Sequence, residues 1–530
     1  MRTATFSQIC IACLSAAAFV SSSSAAERAD GPKVLATGWD LGDATPSEYL
    51  AHADLFEKLP IDGVTFNLKG TNAAGQRLWY RTIMTDPPWD EAAFAADIPV
   101  LRQLVEMRPF RASLMNAFRL TGERIAWTDD AAWARFASNM GVLAAVTRKA
   151  GVAGILVDPE DYPKNGQFRL RREDGEPVAV ANLVRRRARE VFGAVFRAHP
   201  SATVLSYAFL SWCNKKYLSA SDPRAAVLAA GDLFPAFVDG ILDVLPPEAT
   251  LVDGAEQYRN DALRNDFAVS YVGMKKAVAL VSPENRSKYL LQMKVGFGMF
   301  VDMYWREKAK DFNWYIGPVN GSRLEHFRLN FAQAMDVADG VVWLYMPRSS
   351  VVKWRNIASR RYLKRNSIEE NLPGFADAIA SVRDPDGFAA ARLARLGGEG
   401  SLVDLLRDAK AGTWQRSFKD RAAGDMDADA LVATGVKEGS FTIEFRDAAP
   451  GELYALRASM EGVGGTAAYR FRSSDPDADF EWVGRKPVTM GADTFIRVPQ
   501  GVKGMQLLLR VSQRPGETVR FAKPKLYRLQ

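Results

Sequence analysis

Cysteine is nearly absent from this chain: three in 530 residues, with Cys10 and Cys13 inside the first 26. Beyond residue 26 only Cys213 remains, so no intrachain disulfide is expected there. Histidine is as scarce. His52, His199 and His326 form no pair at metal-ligand spacing, and His199 before Pro200 reads as a helix end. No Gly-x-Ser-x-Gly elbow occurs, and Gly296-Phe297-Gly298 is too short to stand as a phosphate-binding fingerprint. Neither a metal nor any other cofactor is expected. No apolar run reaches the roughly 18 residues of a membrane helix.

What is present at the start is a short positive opening, Met1-Arg2, an apolar stretch from Ile9 to Val20, and the small residues Ser24-Ala25-Ala26. This reads as a signal peptide over residues 1–26, so the expected location is periplasmic or secreted. The formal net charge is +7 and the pI about 9.1. A basic surface concentrates anionic ligands, which leaves room for an acidic glycan. Nucleic acid is not expected, because no recognised module accompanies the charge. The arginine run Arg185, Arg186, Arg187 and Arg189 reads as a helix whose charged face is solvated.

Short apolar segments then alternate with amphipathic ones. Strands are expected at Val34–Asp40, Gly63–Lys69, Arg111–Phe118, Ala153–Asp158, Thr203–Ser211, Leu251–Glu256, Tyr289–Phe297 and Gly340–Met346. Helices are expected at 46–58, 91–107, 129–150, 182–198 and 324–337. Eight strand-then-helix units point to an α/β fold, a (β/α)8 TIM barrel over residues 27–375. A doubly wound sheet is the alternative. A helical linker is expected over 376–435. An antiparallel β-sandwich of jelly-roll type follows over 436–530, where Gly and Pro punctuate short alternating segments. Its ending, Gly516 to Arg528, resembles the last strands of carbohydrate-binding jelly rolls.

Barrel active sites lie at the C-terminal ends of the strands. There the sequence offers Trp39 and Asp40, then Asn67, Asn116, Asp158, Glu160 and Asp161. Later strands add Tyr207, Trp212, Asp253, Glu256, Lys294, Trp343 and Tyr345. Asp158 and Glu160 straddle Pro159, two residues apart and so on one face of an extended chain. Gln292 and Lys294 alternate with apolar residues, which turns both toward the barrel interior. The aromatic residues, Tyr162 among them, suit the apolar faces of sugar rings, while Asp, Asn and Lys suit the hydroxyls.

The segments Gly154–Tyr162, Arg185–Pro200 with Thr203–Tyr207, Phe234–Val244 with Ala249–Tyr258, and Gly340–Tyr345 with Leu372-Pro373-Gly374 resemble a group of exported bacterial barrel proteins regarded as glycoside-hydrolase-like. The resemblance implies the reaction class, glycoside hydrolysis; from their strand-end positions, Asp158, Glu160 and Glu256 are expected to be catalytic, in a retaining or inverting glycosidase that needs no metal. Asp158 would be nucleophile or stabiliser, and Glu160 or Glu256 the proton donor. In a variant, the substrate's own acetamido group attacks. Relatives often carry an acid after the eighth strand's aromatic pair, where this chain has Met346-Pro347-Arg348. Two other readings stay open: a non-catalytic glycan-binding protein, and a lyase for acidic polysaccharide that uses Lys294 or a tyrosine.

Overall fold

The computed structural model describes residues 31–120, 124–161, 166–308, 314–407, 414–418, 424–426 and 430–530. The expected signal peptide and Tyr162 lie outside the described residues. The chain forms two compact units. One runs to Arg306 and includes Asn330–Asn371; the other comprises Glu307–Leu329 and Leu372–Gln530. Among the described residues no helix is long and apolar enough to cross a membrane.

The first unit is the (β/α)8 barrel. Its strands are β1 (Lys33–Gly38), β2 (Gly63–Phe66), β3 (Leu114–Arg119), β4 (Gly154–Asp158), β5 (Thr203–Ser206) and β6 (Thr250–Asp253). They continue with β7 (Met293–Val295), β8 (Phe297–Phe300) and β9 (Val341–Met346). All neighbouring pairs are parallel, and β9 pairs with β1 from Lys33↔Val341 to Gly38↔Met346. The segments β7 and β8 are one strand broken at Gly296. The first half bonds β6 and the second bonds β9, so eight strand units close the ring. A side chain at Gly296 would stand 2.6 Å from the Val341 carbonyl oxygen, so only glycine fits the break.

The continuous apolar strands follow from burial on both faces. Leu35, Leu114, Leu156, Leu205, Val252, Val341 and Trp343 form one cluster inside the barrel. Room for Trp343 comes from Gly298, where a methyl group would stand 2.5 Å from the indole ring. The indole Nε1 donates to the Gly254 carbonyl at 2.7 Å.

The helices obey their end signals. Asp129 caps α1 (Asp130–Lys149) by accepting from Ala132 N. Glu176 caps α2 (Pro177–Ala198), which starts with proline and ends at His199. The arginine run on α2 is only partly solvated. Arg187 is fully buried and donates to the Trp127 carbonyl and to Glu190, while Arg185 forks onto Asp243.

Several strand limits depart from expectation: the second strand ends at Phe66, before Lys69, the third begins at Leu114, and the sixth ends at Asp253, before Glu256. The fifth stops at Ser206, and Leu210–Trp212 is a 3-10 turn. The seventh begins only at Met293, because Arg286–Gln292 is helical and Gln292 donates to the carbonyls of Pro246 and Ala249.

In the second unit, Phe375–Arg383 and Pro385–Gly398 are helices, while Gln415–Phe418, Gly424–Met426 and Ala430–Thr434 are already strands. An antiparallel five-stranded sheet centred on Val502–Val511 faces sheets of four and three strands. Leu431, Phe441, Leu456, Tyr469, Leu507 and Phe521 share one core between them, which makes a β-sandwich.

Candidate active site

Asp158 ends β4, almost completely buried, and its Oδ2 meets Arg119 Nε at 3.0 Å. A bulge in β3 creates this pair. Asn116 lies opposite Leu156 but Phe118 lies opposite Val157, so one extra residue puts Arg119 against Asp158. Without the bulge, Arg119 would fall on the opposite face from Asn116. Beyond Pro159, Glu160 is half-buried and its backbone N–H donates to Asp158 Oδ1 at 3.2 Å.

Glu256 reaches the same space from the loop after β6. Its N–H is held by the Tyr207 carbonyl at 3.0 Å, and its carboxylate accepts from the Tyr258 hydroxyl at 2.7 Å. Ala255, just before it, has φ of 40°, an unfavourable conformation for a residue with a side chain. Strain of that kind persists where surrounding contacts over-determine the backbone, as they do beside Glu256.

Glu256 is raised to about 7, chiefly by burial; the Tyr258 hydrogen bond opposes the rise, Glu160 and Asp158 add to it, and Arg119 lowers it. Burial also raises Asp158 to about 6, with Arg119 pulling it down and Glu160 pushing it up. Asp158 and Glu256 therefore sense each other and Glu160 at one mouth, and of this raised pair Asp158, beside the arginine, gives up its proton before Glu256.

Aromatic rings wall the site. Tyr207 stacks on Trp343 with centroids 4.5 Å apart, and Tyr258 stacks on Tyr345 at 5.7 Å. Trp39 is 37% exposed and its indole hydrogen-bonds the Tyr345 hydroxyl. Asn67 and Asn116 are buried together: Asn116 Nδ2 donates to Asn67 Oδ1 at 3.0 Å, and Asn67 Nδ2 donates to the Leu41 carbonyl.

Other expected site residues do different work. Asp253 is buried on the face of β6 opposite Val252, where it accepts from Ser211 N, Ser211 Oγ and Ala255 N. It faces away from the barrel interior and holds the turn that leads to Glu256. Asp40 is fully buried and accepts from Val351 N and Trp354 Nε1, both at 2.9 Å; burial raises it to about 6. It ties the end of β1 to the segment after β9. Asp161 is spent on the backbone N–H groups of Gln167 and Phe168.

Lys294 does share the inward face with Val252, but it is the second residue of β7, six positions before β8 ends. That places it at the opposite end of the barrel from the acids, which removes the basis for a lysine-assisted lyase. Trp212 packs on Phe234, outside the aromatic cluster. Cys213 is buried, and burial next to Asp232 pushes its thiol up, so it is unreactive.

Arg119 and Tyr258 meet these carboxylates directly, and Tyr80 and Arg81 stand near enough to Asp158 to feel or shift its charge; none of the four was foreseen. Tyr258 was within reach of the sequence, two residues after Glu256; Arg119 was not, because its direction depends on the bulge. Among the described residues no group of three or more His, Cys, Asp or Glu is arranged to hold a metal ion.

No family model matches the chain, and no curated protein matches it. Solved structures do. An Anoxybacillus alpha-amylase is 10% identical over 91% of this chain and 98% of that one, with a TM-score of 0.34. A putative alpha-L-fucosidase from Bacteroides thetaiotaomicron is 10% identical over 95% and 97%, at 0.28. A shorter match, TmCBM61 in complex with beta-1,4-galactotriose, is 16% identical over 23% and 93%, at 0.18. The chain spans only 20% of another match, the enzymatically active domain of a Bacteriophage CBA120 tailspike protein. Structurally similar chains thus include glycoside hydrolases and a carbohydrate-binding module, and at these scores the likeness is loose.

Proposed function

We propose that this protein is a glycoside hydrolase acting on a poly- or oligosaccharide through carboxylate catalysis. The observation that carries the proposal is the convergence of Asp158, Glu160 and Glu256 at the C-terminal mouth of the barrel, with Glu256 raised to about 7 and Arg119 holding Asp158 toward its ionised form. Glycosidic cleavage needs one acid that still holds its proton near neutrality and one carboxylate that does not. Glu256 fits the proton donor, transferring its proton to the leaving-group oxygen. Asp158 or Glu160 fits the carboxylate that attacks the anomeric carbon or activates water against it. Trp39, Tyr207, Tyr258 and Tyr345 offer faces on which sugar rings lie, whereas Trp343, expected among them, is fully buried in the barrel core and only backs Tyr207. Export by residues 1–26, placing the enzyme in the periplasm or outside the cell, is part of the same proposal.

The test is product release from a panel of neutral and acidic polysaccharides, read by mass spectrometry, with wild type beside Asp158→Asn, Glu160→Gln and Glu256→Gln. Hydrolysed products that disappear in the Asp158 and Glu256 variants are expected. Glycan binding without any product would refute the hydrolase and leave a binding protein; unsaturated products would indicate a lyase.

A further inference from the structure

We propose that the outward face of the five-stranded sheet in the second unit is a binding site of its own, for a glycan chain that carries repeated anionic groups, and that Arg470, Arg485 and Arg510 read the charge. The inference takes from the reading above only that the ligand is a glycan.

The face is defined by strand register. Ile443, Tyr469, Phe471, Leu507 and Leu509 enter the core of the sandwich, so their alternating neighbours Glu444, Arg470, Arg472, Gln506, Leu508 and Arg510 point outward. Gln506 on the central strand lies opposite Glu444 on one side and Arg470 on the other. Trp482, on the edge strand Trp482–Pro487, lies opposite Arg472.

The acids of this row are engaged. Arg472 Nη1 donates to Glu444 at 2.9 Å and its Nη2 donates to Glu481, while Arg446 also stands 3.8 Å from Glu444. Arg470 is different. Its guanidinium lies over the Trp482 ring at 4.7 Å and its Nε donates to Gln506 Oε1 at 2.7 Å, yet it forms no ion pair among the described residues. Burial and the neighbouring Arg485 hold Arg470 below its ordinary pKa, with Glu481 pulling the other way. Arg485 and Arg510 likewise form no ion pair among the described residues. Gln506 is only 7% exposed, and its Nε2 donates to no protein group among those described.

A half-buried cation beside a second cation, with no acid bonded to it, raises the free energy of the empty site, and an incoming anion relieves it. The stack on Trp482 and the bond to Gln506 already fix the direction of the Arg470 fork, so little entropy is lost when it meets a carboxylate or sulfate. The donors are spread out. Arg510 is four residues along the strand from Gln506, about 13 Å at roughly 3.3 Å per residue. A single small anion does not span that distance, but a chain with a charge on successive sugars does. The strip between is low and apolar, with Leu508 at 8% and Ala468 at 5% exposure. Single-stranded nucleic acid is disfavoured, because its bases stack on open rings and the ring here lies under the guanidiniums of Arg470 and Arg472.

The test pairs glycans that differ only in charge: oligogalacturonate against its carboxyl-reduced form, and dextran sulfate against dextran. Binding is measured by calorimetry at pH 7 and low ionic strength on the full chain carrying Glu256→Gln, so that no turnover intervenes. At least one acidic probe is expected to bind about tenfold or more tightly than its neutral partner, and the arm that responds tells a carboxylate from a sulfate. Galacturonate monomer should bind at least about tenfold more weakly than the oligomer, since it meets one arginine at a time. Arg470→Gln with Arg510→Gln should bring the preference within about twofold. Lys58→Gln with Lys276→Gln removes as much charge from the other unit and should leave the preference intact. If the arginine pair lowers the melting temperature, the exposed Arg485→Gln alone should still weaken acidic binding about threefold or more. The proposal is overturned if no acidic probe exceeds its neutral partner, or if the preference survives the arginine variants at unchanged melting temperature. Equal loss in the lysine pair, or equally tight binding of a DNA oligonucleotide through the same arginines, overturns it as well. Charge-selective binding by a wild-type protein that hydrolyses no glycan would instead sink the hydrolase reading and leave this site standing.

Discussion

Tyr258→Phe removes one oxygen atom from the site and isolates one interaction. The Tyr258 hydroxyl donates to Glu256 at 2.7 Å, a bond that favours the ionised carboxylate and opposes the rise caused by burial. Phenylalanine keeps the ring and its stack on Tyr345. A hydrogen bond to a charged group is worth about 1.5–3 kcal/mol, and the half-buried position of Glu256 argues for the lower end. At 1.36 kcal/mol per unit, Glu256 should therefore rise about one unit above its starting value of about 7. A proton donor works only while protonated, so activity falls as pH rises through its pKa. The alkaline limb of kcat/KM should then move upward by about one unit in the variant. Carboxyl-carbon NMR titration of Glu256 gives the same shift without any substrate. An unmoved NMR titration would refute the claim that Tyr258 tunes Glu256. A moved titration with an unmoved alkaline limb would refute Glu256 as the proton donor.

The same burial leaves a mark on stability. The folded value of Glu256, about 7 against an ordinary 4.5, means the native state holds the proton more tightly, so stability declines as pH rises from about 4.5 to about 7. Glu256→Gln should accordingly raise the melting temperature at pH 8 and leave it unraised at pH 4, by differential scanning calorimetry. Gly298→Ala places a methyl group 2.5 Å from the Trp343 ring. It should cost about 1–3 kcal/mol in urea unfolding and perturb the near-ultraviolet signal of the Tyr207–Trp343 stack. Asp253→Asn points an amide donor at the donors of Ser211 and Ala255, and should lose about 1–3 kcal/mol by the same unfolding measurement.

Much of the barrel could be read from the chain because parallel strands buried on both faces are written as short apolar runs. Gly154-Ile155-Leu156-Val157 and Leu251-Val252 announce themselves by composition alone. The seventh strand could not be read so well. Tyr289 and Leu291 carry the apolar character of a strand, yet Arg286–Gln292 coils and the strand extends instead through Gly296 to Phe300. Gly296 and Gly298 lower local strand propensity, and only the close approach of the Val341 carbonyl and the Trp343 ring explains why they belong there. The early sandwich strands, such as Ala430–Thr434, were obscured by the helical charge pattern ahead of them.

The limits of the site reading have one geometric source. Asp158 and Asp253 look alike in sequence, each closing an apolar run at a strand end, yet one faces the mouth and the other faces away. Side-chain direction alternates along a strand, so direction depends on which apolar neighbour fills the barrel. Leu156, two residues before Asp158, is in the interior cluster, which turns Asp158 inward; Val252, one residue before Asp253, is in the same cluster, which turns Asp253 outward. Where both faces are apolar, as in these strands, composition carries no parity, and a single bulge such as the one after Asn116 reverses it. The carboxylates that escape the strand register, Glu160 after its proline and Glu256 after the strained Ala255, reach the mouth through their loops. The catalytic geometry thus depends on how those loops are pinned, and the outward-facing Asp253 contributes to it by holding Ala255 in place.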